Sequence, residues 1–417
     1  MLRVFINSWP LLLGMMLLMV GNGLQGSLLG VRGGGAGFSA FEMSLVMSAY
    51  FAGFLIASRV TPDMIRRVGH VRVFAAMGSF ISAVLILYPA FPHPAAWILG
   101  RVVIGFFFCG VYVTAESWLN NSADNSTRGQ TLSLYMIVQM LGIIIAQGLL
   151  LVPDPSGFLL FVIPSVLVSI SFAPILLSIS PTPAFESTKR MGLKALYEKS
   201  PLGCVGMFLL GGVYSAQFGM SAVYGSEAGL TLPEISGFVA AFYVGAMLFQ
   251  YPVGWLSDVY DRRMMVAAVG LIGAVAALIA VVMQGYYFLL LSALLIGGMS
   301  NPLYSLLIAH TNDFLEYEDM AAASAGLLFI NGLGAITGPL ITGWMMEVFG
   351  PAAFFAFLAV LLGAVMAYAF YRMTQRALPT QTDDGGYVPI HPTSTPVAVE
   401  AAQEYLIEVA QSEEDAA

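Results

Sequence analysis

The sequence predicts an all-α membrane protein in which twelve transmembrane helices form two parallel six-helix repeats. Hydrophobic residues make up 58% of the 417 residues and charged residues only 10%. The Lys and Arg residues are concentrated in alternate gaps between apolar stretches, and polar residues recur at a spacing of 192 residues. A water-soluble surface needs more charge than this composition supplies, so lipid is the predicted solvent for most of the chain.

Twelve apolar stretches follow one another, each near the roughly 20 residues that a helix needs to cross a bilayer. Many glycines lie inside them, which favours close helix packing, and the alternation of a transmembrane β-barrel is absent from the sequence. The first stretch is similar to a signal peptide but has no Ala-x-Ala cleavage site, so we count it as a helix. The stretches begin near Phe5, Phe41, Val73, Ala96, Thr131, Phe158, Gly203, Ile235, Val266, Tyr287, Ala322 and Ala352.

The positions of Lys and Arg predict the orientation of these helices. Fourteen of the 16 lie in every second gap, whereas Arg32 lies in an opposite-side gap and Arg101 lies inside a stretch. Because positively charged loops stay in the cytoplasm, we predict a multi-pass protein of a bacterial inner (plasma) membrane with both termini cytoplasmic. The fourteen are Arg3, Arg59, Arg66, Arg67, Arg72, Arg128, Lys189, Arg190, Lys194, Lys199, Arg262, Arg263, Arg372 and Arg376.

The two halves of the chain match when one is shifted by 192 residues. Because six helices per repeat preserve orientation, the repeats are predicted to be parallel, with a substrate site between them near the membrane midplane. The matching pairs are Gln25 with Gln217, Glu42 with Glu234, Gly53 with Gly245, Gly78 with Gly270, Gly105 with Gly297, Tyr112 with Tyr304, Asn120 with Asn312, and Gly142 with Gly334.

Four regions follow from this pattern. We predict an N-terminal six-helix bundle over residues 1–179, a cytoplasmic linker over 180–201, a C-terminal six-helix bundle over 202–375 and a cytoplasmic acidic, largely disordered tail over 376–417. Much of the net charge of −8 comes from this tail. Cys109 and Cys204 lie in apolar segments of different halves, so we expect buried thiols rather than a disulfide.

A charged string, GWLSDVYDRR from Gly254 to Arg263, follows the eighth stretch and contains Asp258 and Arg262. It resembles the loop signature of the major facilitator superfamily, with Asp261 in place of the usual second glycine. The first-repeat counterpart, PDMIRRVGHVR over residues 62–72, is degenerate. In such a loop the carboxylate stabilises a helix N-terminus while the arginines pair with neighbouring acids. A plain cluster of topology-setting charges is the alternative.

Two further strings resemble elements of the same superfamily. Arg101-Val-Val-Ile-Gly105 resembles its membrane-embedded arginine motif, which is linked to proton transfer in proton-coupled exporters. Gly334-Ala-Ile-Thr-Gly338-Pro339 resembles its antiporter element, although here it lies in the eleventh stretch. The resemblance covers about residues 1–375 and implies a secondary transporter similar to bacterial drug or metabolite:proton antiporters. The alternatives are an arginine that reaches up to the membrane interface and a motif that serves close helix packing.

Charged residues at the cytoplasmic rim predict two latches. A charge pair made in one conformation and broken in another biases which side of a carrier is open. Glu116 lies about 22 Å beyond Arg101 along the same helix, which places it at this rim. A solvated helix-end charge is the alternative for Glu116. The predicted pairs are Glu116 with Arg67 or Arg72, and Asp313 with Arg262 or Arg263.

Uncharged amides and phenols at mid-depth are candidates for a substrate cavity. Such groups suit a substrate held by hydrogen bonds and aromatic contact, with Arg101 as the only cation available for an anionic group. Hydrogen bonding between helices is the alternative for each. The candidates are Asn22, Gln25, Tyr112, Gln139, Tyr214, Gln217, Asn301, Tyr304 and Asn331.

The sequence therefore predicts a secondary active transporter that moves a small organic solute by alternating access, with proton-coupled efflux as the leading hypothesis. No Walker A string, catalytic constellation or metal-ligand pattern indicates an ATPase or an enzyme, and no cofactor is expected. The expected partners are a small-molecule substrate, protons and the lipid bilayer, without nucleic acid, and the chain is expected to be a monomer. The alternatives are uptake of an organic metabolite by a symporter or facilitator, and a non-transporting membrane sensor or scaffold. Candidate proton carriers are Glu116, Asp313, His310, Glu42 and Glu234.

Overall fold

The computed structural model describes residues 2–122, 128–152, 157–176, 191–283, 285–315, 317–375 and 395. The predicted tail apart from Thr395, and residues 180–190 of the predicted linker, lie outside this range. Every regular element in the described part of the chain is helical. The helices are α1 Leu2–Gly35, α2 Ala40–Val68, α3 His70–Ala90, α4 Pro94–Ser122, α5 Arg128–Leu149, α6 Leu159–Ser171, α7 Ala173–Leu176, α8 Leu193–Lys199, α9 Pro201–Ser215, α10 Ser221–Glu227, α11 Leu232–Val259, α12 Arg262–Val282, α13 Tyr286–Asn312, α14 Tyr317–Phe349 and α15 Ala353–Gln375.

All twelve predicted apolar stretches are present as helices. Within the described residues, ten helices are long and apolar enough to cross a membrane, and the fifth and sixth stretches contain the shorter apolar helices Ser133–Leu149 and Leu159–Ser171. The seventh stretch is one continuous span, Pro201–Glu227, in which α9 and α10 are joined by a π-helical segment, Ala216–Met220. The short helix α8 lies in the predicted linker region.

The two repeats share their helix crossings residue by residue. A Cβ atom built on Gly53 of α2 would lie 1.9 Å from the carbonyl oxygen of Val102 in α4, and one on Gly245 of α11 would lie 1.9 Å from that of Leu294 in α13. Both the glycines and the carbonyls are 192 residues apart. Only glycine permits this backbone approach, so the α2–α4 crossing recurs as the α11–α13 crossing.

A second crossing repeats in the same way. A Cβ atom on Gly142 of α5 would lie 2.9 Å from the carbonyl oxygen of Met16 in α1, and one on Gly334 of α14 would lie 1.9 Å from that of Phe208 in α9. Met16 and Phe208 are again 192 residues apart. The predicted pair of parallel six-helix repeats is thus confirmed by equivalent contacts and not only by equivalent sequence positions.

The starts of α2 and α11 also correspond. Ser39 caps α2, and its backbone N–H donates to Glu42 at 2.9 Å. Thr231 caps α11, and its backbone N–H donates to Glu234 at 2.8 Å. These reciprocal capping boxes satisfy the free N–H groups of the first helical turn, which gives the two glutamates a structural use at the helix ends.

Candidate functional site

A cavity of about 120 Å³ lies between the two repeats. Helices α1, α2, α4 and α5 of the first repeat and α9, the π-helical segment, α11 and α14 of the second contribute to its wall. A cavity shared by both repeats is the arrangement expected for a parallel pair of bundles. Its lining residues are Asn22, Gly23, Gly26, Ser27, Tyr50, Phe51, Phe54, Leu55, Ser58, Arg101, Tyr112, Ile143, Gln147, Tyr214, Phe218, Gly219, Val239, Tyr243, Leu328, Asn331, Gly332 and Ala335.

Both repeats contribute aromatic rings to this wall. The rings of Phe218 and Tyr243 are stacked with centroids 4.7 Å apart, and Tyr214 stacks on Phe218 at 5.8 Å. On the opposite side, Phe54 lies 6.0 Å from Tyr112. Large flat side chains of this kind offer apolar contact area to a ligand with little loss of side-chain entropy.

The π-helical segment places two residues in the cavity wall. Phe218 and Gly219 both lie within Ala216–Met220, and both line the cavity. An i→i+5 segment inside an α-helix carries an additional residue per turn and is frequent at functional sites. The apolar pattern of the seventh stretch predicts a helix there but does not distinguish the π-helical geometry from the α-helical one.

The structure brings four of the nine predicted cavity residues into the lining, namely Asn22, Tyr112, Tyr214 and Asn331. Arg101 also lines the cavity. The other five are buried outside the lining in this conformation; for example, Gln217 accepts a hydrogen bond from Ser300 at 2.8 Å. These five are Gln25, Gln139, Gln217, Asn301 and Tyr304.

Sequence reasoning missed the contribution of α2 and α11. Tyr50, Phe51 and Phe54 of α2 and Tyr243 of α11 line the cavity, yet the predicted set contained no residue from either helix. A signal was available, since the aromatic pair at 50–51 recurs as Phe242 and Tyr243 at the repeat spacing of 192. The choice of amides and phenols left out Phe51 and Phe54, and the phenols Tyr50 and Tyr243 were missed because no candidate was taken from the second or eighth stretch.

Arg101 lies seven residues after the start of α4 and is only 5% exposed. Its Nη2 atom lies 3.6 Å from the sulfur of Met47, and its Cζ atom lies 4.6 Å from the ring centroid of Tyr50. Its Nε atom has no hydrogen-bond partner. The side chain therefore faces the cavity and α2.

The two repeats meet at backbone distance at one end of the cavity, where α2 and α11 begin; we call this the outer end. A Cβ atom on Gly343 of α14 would lie 2.3 Å from the Ser44 Cβ atom of α2. One on Gly30 of α1 would lie 2.7 Å from the Ala222 Cβ atom of α10. The Ser236 hydroxyl of α11 donates to the Gln147 carbonyl of α5 at 2.6 Å. Helices this close leave no passage for a solute, so these contacts seal the outer end.

Longer side chains separate α2 and α14 toward the inner end, where α2 and α11 end. A Cβ atom on Gly332 would lie 2.8 Å from the Leu55 side chain, and the guanidinium carbon of Arg59 lies 4.1 Å from the ring centroid of Phe329. The same helix pair thus changes from backbone contact to side-chain contact along its length. At this crossing, α2 and α14 are therefore further apart at the inner end than at the outer end.

Glu116 is buried near the inner end of α4. It accepts a hydrogen bond from the Tyr135 hydroxyl at 3.2 Å, and from both the backbone N–H, at 2.8 Å, and the hydroxyl of Thr395. Arg67 and Arg72 are exposed, and neither forms an ion pair with Glu116 in the described part of the chain. This conformation therefore does not contain the predicted first-repeat latch.

A charged cluster lies at the equivalent end of the second repeat. Arg262 pairs with Asp313, and Arg263 pairs with Asp261 at 3.0 Å. Asp261 also caps α12 by accepting the backbone N–H of Arg263 at 2.9 Å. His310 is buried and packs on Phe314, with ring centroids 5.1 Å apart, whereas Asp258 is exposed at the end of α11. The residue that departs from the family motif thus serves as the helix cap.

Burial and charge act in opposite directions on the two acids of this cluster. Partial burial alone would raise the pKa of Asp261, but hydrogen bonds and charge from Arg263 outweigh it, and the pKa is lowered. Burial raises the pKa of Asp313 despite the opposing charge of Arg262. Asp313 is therefore the acid of this cluster that takes up a proton more readily.

Two parallel helix bundles around a central cavity, sealed at one end, define a membrane transport protein. The chain belongs to the Major Facilitator Superfamily, which it matches over residues 11–238 and 202–399. It is 25% identical over 356 residues to the uncharacterized MFS-type transporter YcaD of Salmonella arizonae, covering 84% of this chain and 91% of the relative. The YcaD protein of Salmonella typhimurium is 24% identical with the same coverage.

Solved transporter structures share the fold. The nucleoside transporter NupG has a TM-score of 0.74 at 15% identity, with 89% of this chain and 99% of NupG covered. An inward-facing bacterial homologue of the human lysosomal transporter Spinster has a TM-score of 0.68 at 14% identity, with 98% of each chain covered. The human organic anion transporter MFSD10 has a TM-score of 0.61 at 12% identity, with 87% and 98% covered. At these identities the likeness establishes the fold.

Proposed function

We propose that this protein exports a small organic solute across a bacterial inner membrane by alternating access, in exchange for protons. The observation that carries the proposal is the central cavity, which both repeats line and which backbone contacts seal at the outer end. The distribution of Lys and Arg supports placing the outer end outside the cell and both termini in the cytoplasm. The conformation then faces inward, and export requires the outer-end contacts to break as the repeats rock.

The charged groups at the inner end are proposed to gate this motion. The Arg262–Asp313 pair is made when the outer end is sealed. When the inner end closes instead, we expect Glu116 to meet Arg67 or Arg72. Asp258, Arg263 and His310 lie beside the second-repeat latch and are proposed to hold its helix ends in place; Glu116 and Asp313 are the proposed proton carriers.

Transport and coupling are tested separately. Metabolite profiles of cells with and without the protein should identify a solute whose level rises when the protein is absent, because export is lost. The purified protein in proteoliposomes should then move that solute faster when protons flow down their gradient in the direction opposite to the solute. An ionophore that dissipates the proton gradient should remove this acceleration. Flux that ignores the pH gradient would leave a facilitator, and no flux of any solute would end the transport proposal.

A sensor or scaffold remains the second candidate because one tail residue contacts the bundle. Thr395 is fully buried and donates to Glu116, which ties the C-terminal tail to α4. Removing residues 376–417 distinguishes the two functions. A carrier should continue to move solute in proteoliposomes without the tail, whereas a scaffold should lose its effect in cells although its helical bundle stays folded.

A further inference from the structure

We propose that the cavity binds an organic monoanion, with its carboxylate held by Arg101 and a flat apolar body packed against the rings of Phe218 and Tyr243. This inference deepens the proposed transport function and rests on it, because it names the chemical class of the solute. It follows from one buried cation, its unused Nε donor and the aromatic rings that line the same cavity.

The Arg101 guanidinium has more donors than partners. A guanidinium carries five N–H donors in a planar fork that matches a carboxylate. The contacts of Arg101 are a thioether, the sulfur of Met47 at 3.6 Å, and a ring face, that of Tyr50 at 4.6 Å, and its Nε atom has no partner. At least one donor of the buried guanidinium is thus left unused in this conformation.

The positive charge also has no counter-ion among the residues that the structure describes. Among the described residues, Arg101 forms no ion pair with any Asp or Glu, although it is only 5% exposed. A buried charge without a partner is strongly disfavoured, especially within a membrane. An anion that enters the cavity would supply both the missing charge and two parallel hydrogen bonds.

Unlike Arg101, the amide side chains that line the cavity have hydrogen-bond partners within the protein. Asn22 donates to the Tyr112 hydroxyl at 3.0 Å, Asn331 donates to the Met207 carbonyl at 3.0 Å, and Gln147 accepts from Ser27 at 2.9 Å. Each of these side chains already has a partner within the protein. The cavity group with an unpaired charge and an unused hydrogen-bond donor is therefore Arg101 and not one of the amides.

The remaining lining selects the body of the solute and its charge. Phe218 and Tyr243 present stacked rings, and no Asp or Glu is among the described residues that line the cavity. An organic cation would therefore meet a like charge with no carboxylate to offset it, whereas an aromatic or otherwise flat carboxylate satisfies both Arg101 and the rings.

Binding of matched probe pairs to the purified full-length protein tests the inference. The probes are benzoate, phenylacetate and indole-3-acetate, each beside its neutral amide, with benzylamine as the cation, at pH 7. Carboxylates should bind at least about tenfold more tightly than their amides, the difference expected for a charge-assisted pair of hydrogen bonds. In Arg101→Gln this preference should disappear while amide binding stays within about twofold.

Two further variants serve as controls for misfolding of Arg101→Gln and for the loss of a positive charge outside the cavity. Arg101→Lys keeps the charge without the fork and should retain part of the preference, which keeps the test valid if Arg101→Gln does not fold. Arg32→Gln removes a cation outside the cavity lining and should keep the full preference. Equal binding of carboxylates and amides to the wild type, or an unchanged preference in Arg101→Gln, would overturn the inference.

Carboxylate binding and solute flux test the anion site and the transport function separately. Carboxylate binding that depends on Arg101 supports the inference even if proteoliposomes show no flux, in which case transport is the part that fails. Arg101-independent flux of a neutral solute, without carboxylate preference, supports transport and overturns the anion site.

Discussion

In the first repeat, the crossing of α2 and α4 places Arg101 beside Met47 and Tyr50; in the second repeat, the equivalent positions of α13 and α11 hold Ala293, Val239 and Phe242. The glycines that permit the crossing are the same in both repeats. The framework is therefore duplicated, whereas the cation is present on one side only.

The opposite asymmetry occurs one helix away. Phe218 of the second repeat corresponds to Gly26 of the first, and both line the cavity. A Cβ atom on Gly26 would meet nothing within 4 Å, so this glycine leaves open space where its counterpart supplies a ring. Positions inside a helix crossing must be glycine because the neighbouring backbone leaves no room for a Cβ atom. Positions that face the cavity can carry different side chains in the two repeats, and these differences shape the site.

The largest expected effect tests the shared framework. Gly53→Ala and Gly245→Ala each force a Cβ atom against a carbonyl oxygen 1.9 Å away, so the helices must separate. Both variants should lose about 2–3 kcal/mol of stability, measured by thermal unfolding in detergent. Gly363→Ala, whose Cβ atom would meet nothing within 4 Å, is the matched control. A loss in only one of the two repeats would contradict an equivalent framework.

The next effect tests the one-sided cation. Arg101→Ala should abolish gradient-driven flux in proteoliposomes while the protein stays folded, because it removes a buried charge that has no acidic partner among the described residues. Ala293→Arg, at a fully buried position, should instead reduce the yield of folded protein. Unchanged flux in Arg101→Ala would remove this residue from the mechanism.

Filling the open side of the cavity should have a smaller effect. Gly26→Phe gives the first repeat the ring that the second already has, and it should lower flux about tenfold by occupying the site. Thermal stability should not fall, because the Cβ atom points into open space and glycine is a poor helix former. Gly148→Phe, open in the same way but outside the lining, should transport normally. Equal flux in the two variants would show that the cavity is not on the transport path.

The two latches should shift the conformational balance in opposite directions. Asp313→Asn weakens a pair that is made while the outer end is sealed, so it should favour the conformation open at the outer end by about threefold. Glu116→Gln should favour the conformation sealed at the outer end if Glu116 pairs with Arg67 or Arg72 only when the inner end is closed. Labelling of a cysteine introduced at Ser58 measures both shifts. Shifts in the same direction would rule out complementary latches.

A further effect, of similar size, concerns the caps at the inner end. Asp261 caps α12, whereas the equivalent Gly69 offers α3 no side-chain cap. Asp261→Ala should therefore cost about 1 kcal/mol at pH 7. Because the folded state lowers the pKa of Asp261 from its ordinary 3.8, this stabilisation is present above that value and is lost as the pH falls through the lowered one. Unfolding at several pH values should show the difference shrinking in acid; a constant difference would assign the loss to packing.

Charged residues at the inner end were partly predictable, and the capping boxes at the outer end follow from local spacing although they were not named among the predictions from sequence. The pairing of Asp313 with Arg262 was one of two options that the sequence left open, and the structure contains it. The capping boxes of Ser39 and Thr231 follow from local spacing. The burial of Glu116 against Thr395 was not predictable, because it joins residues far apart in the chain.

The sequence by itself determined the twelve helices, their duplication and the cation inside the membrane, because apolar length, a fixed repeat spacing and the rarity of buried charge are properties of composition and order. Only the tertiary structure decided which polar groups reach the cavity. Gln25 and Asn22 lie less than one helical turn apart, yet only Asn22 lines it. The rotation of each helix, and the π-helical turn that brings Phe218 to the wall, depend on packing against helices distant in sequence, which hydropathy does not encode.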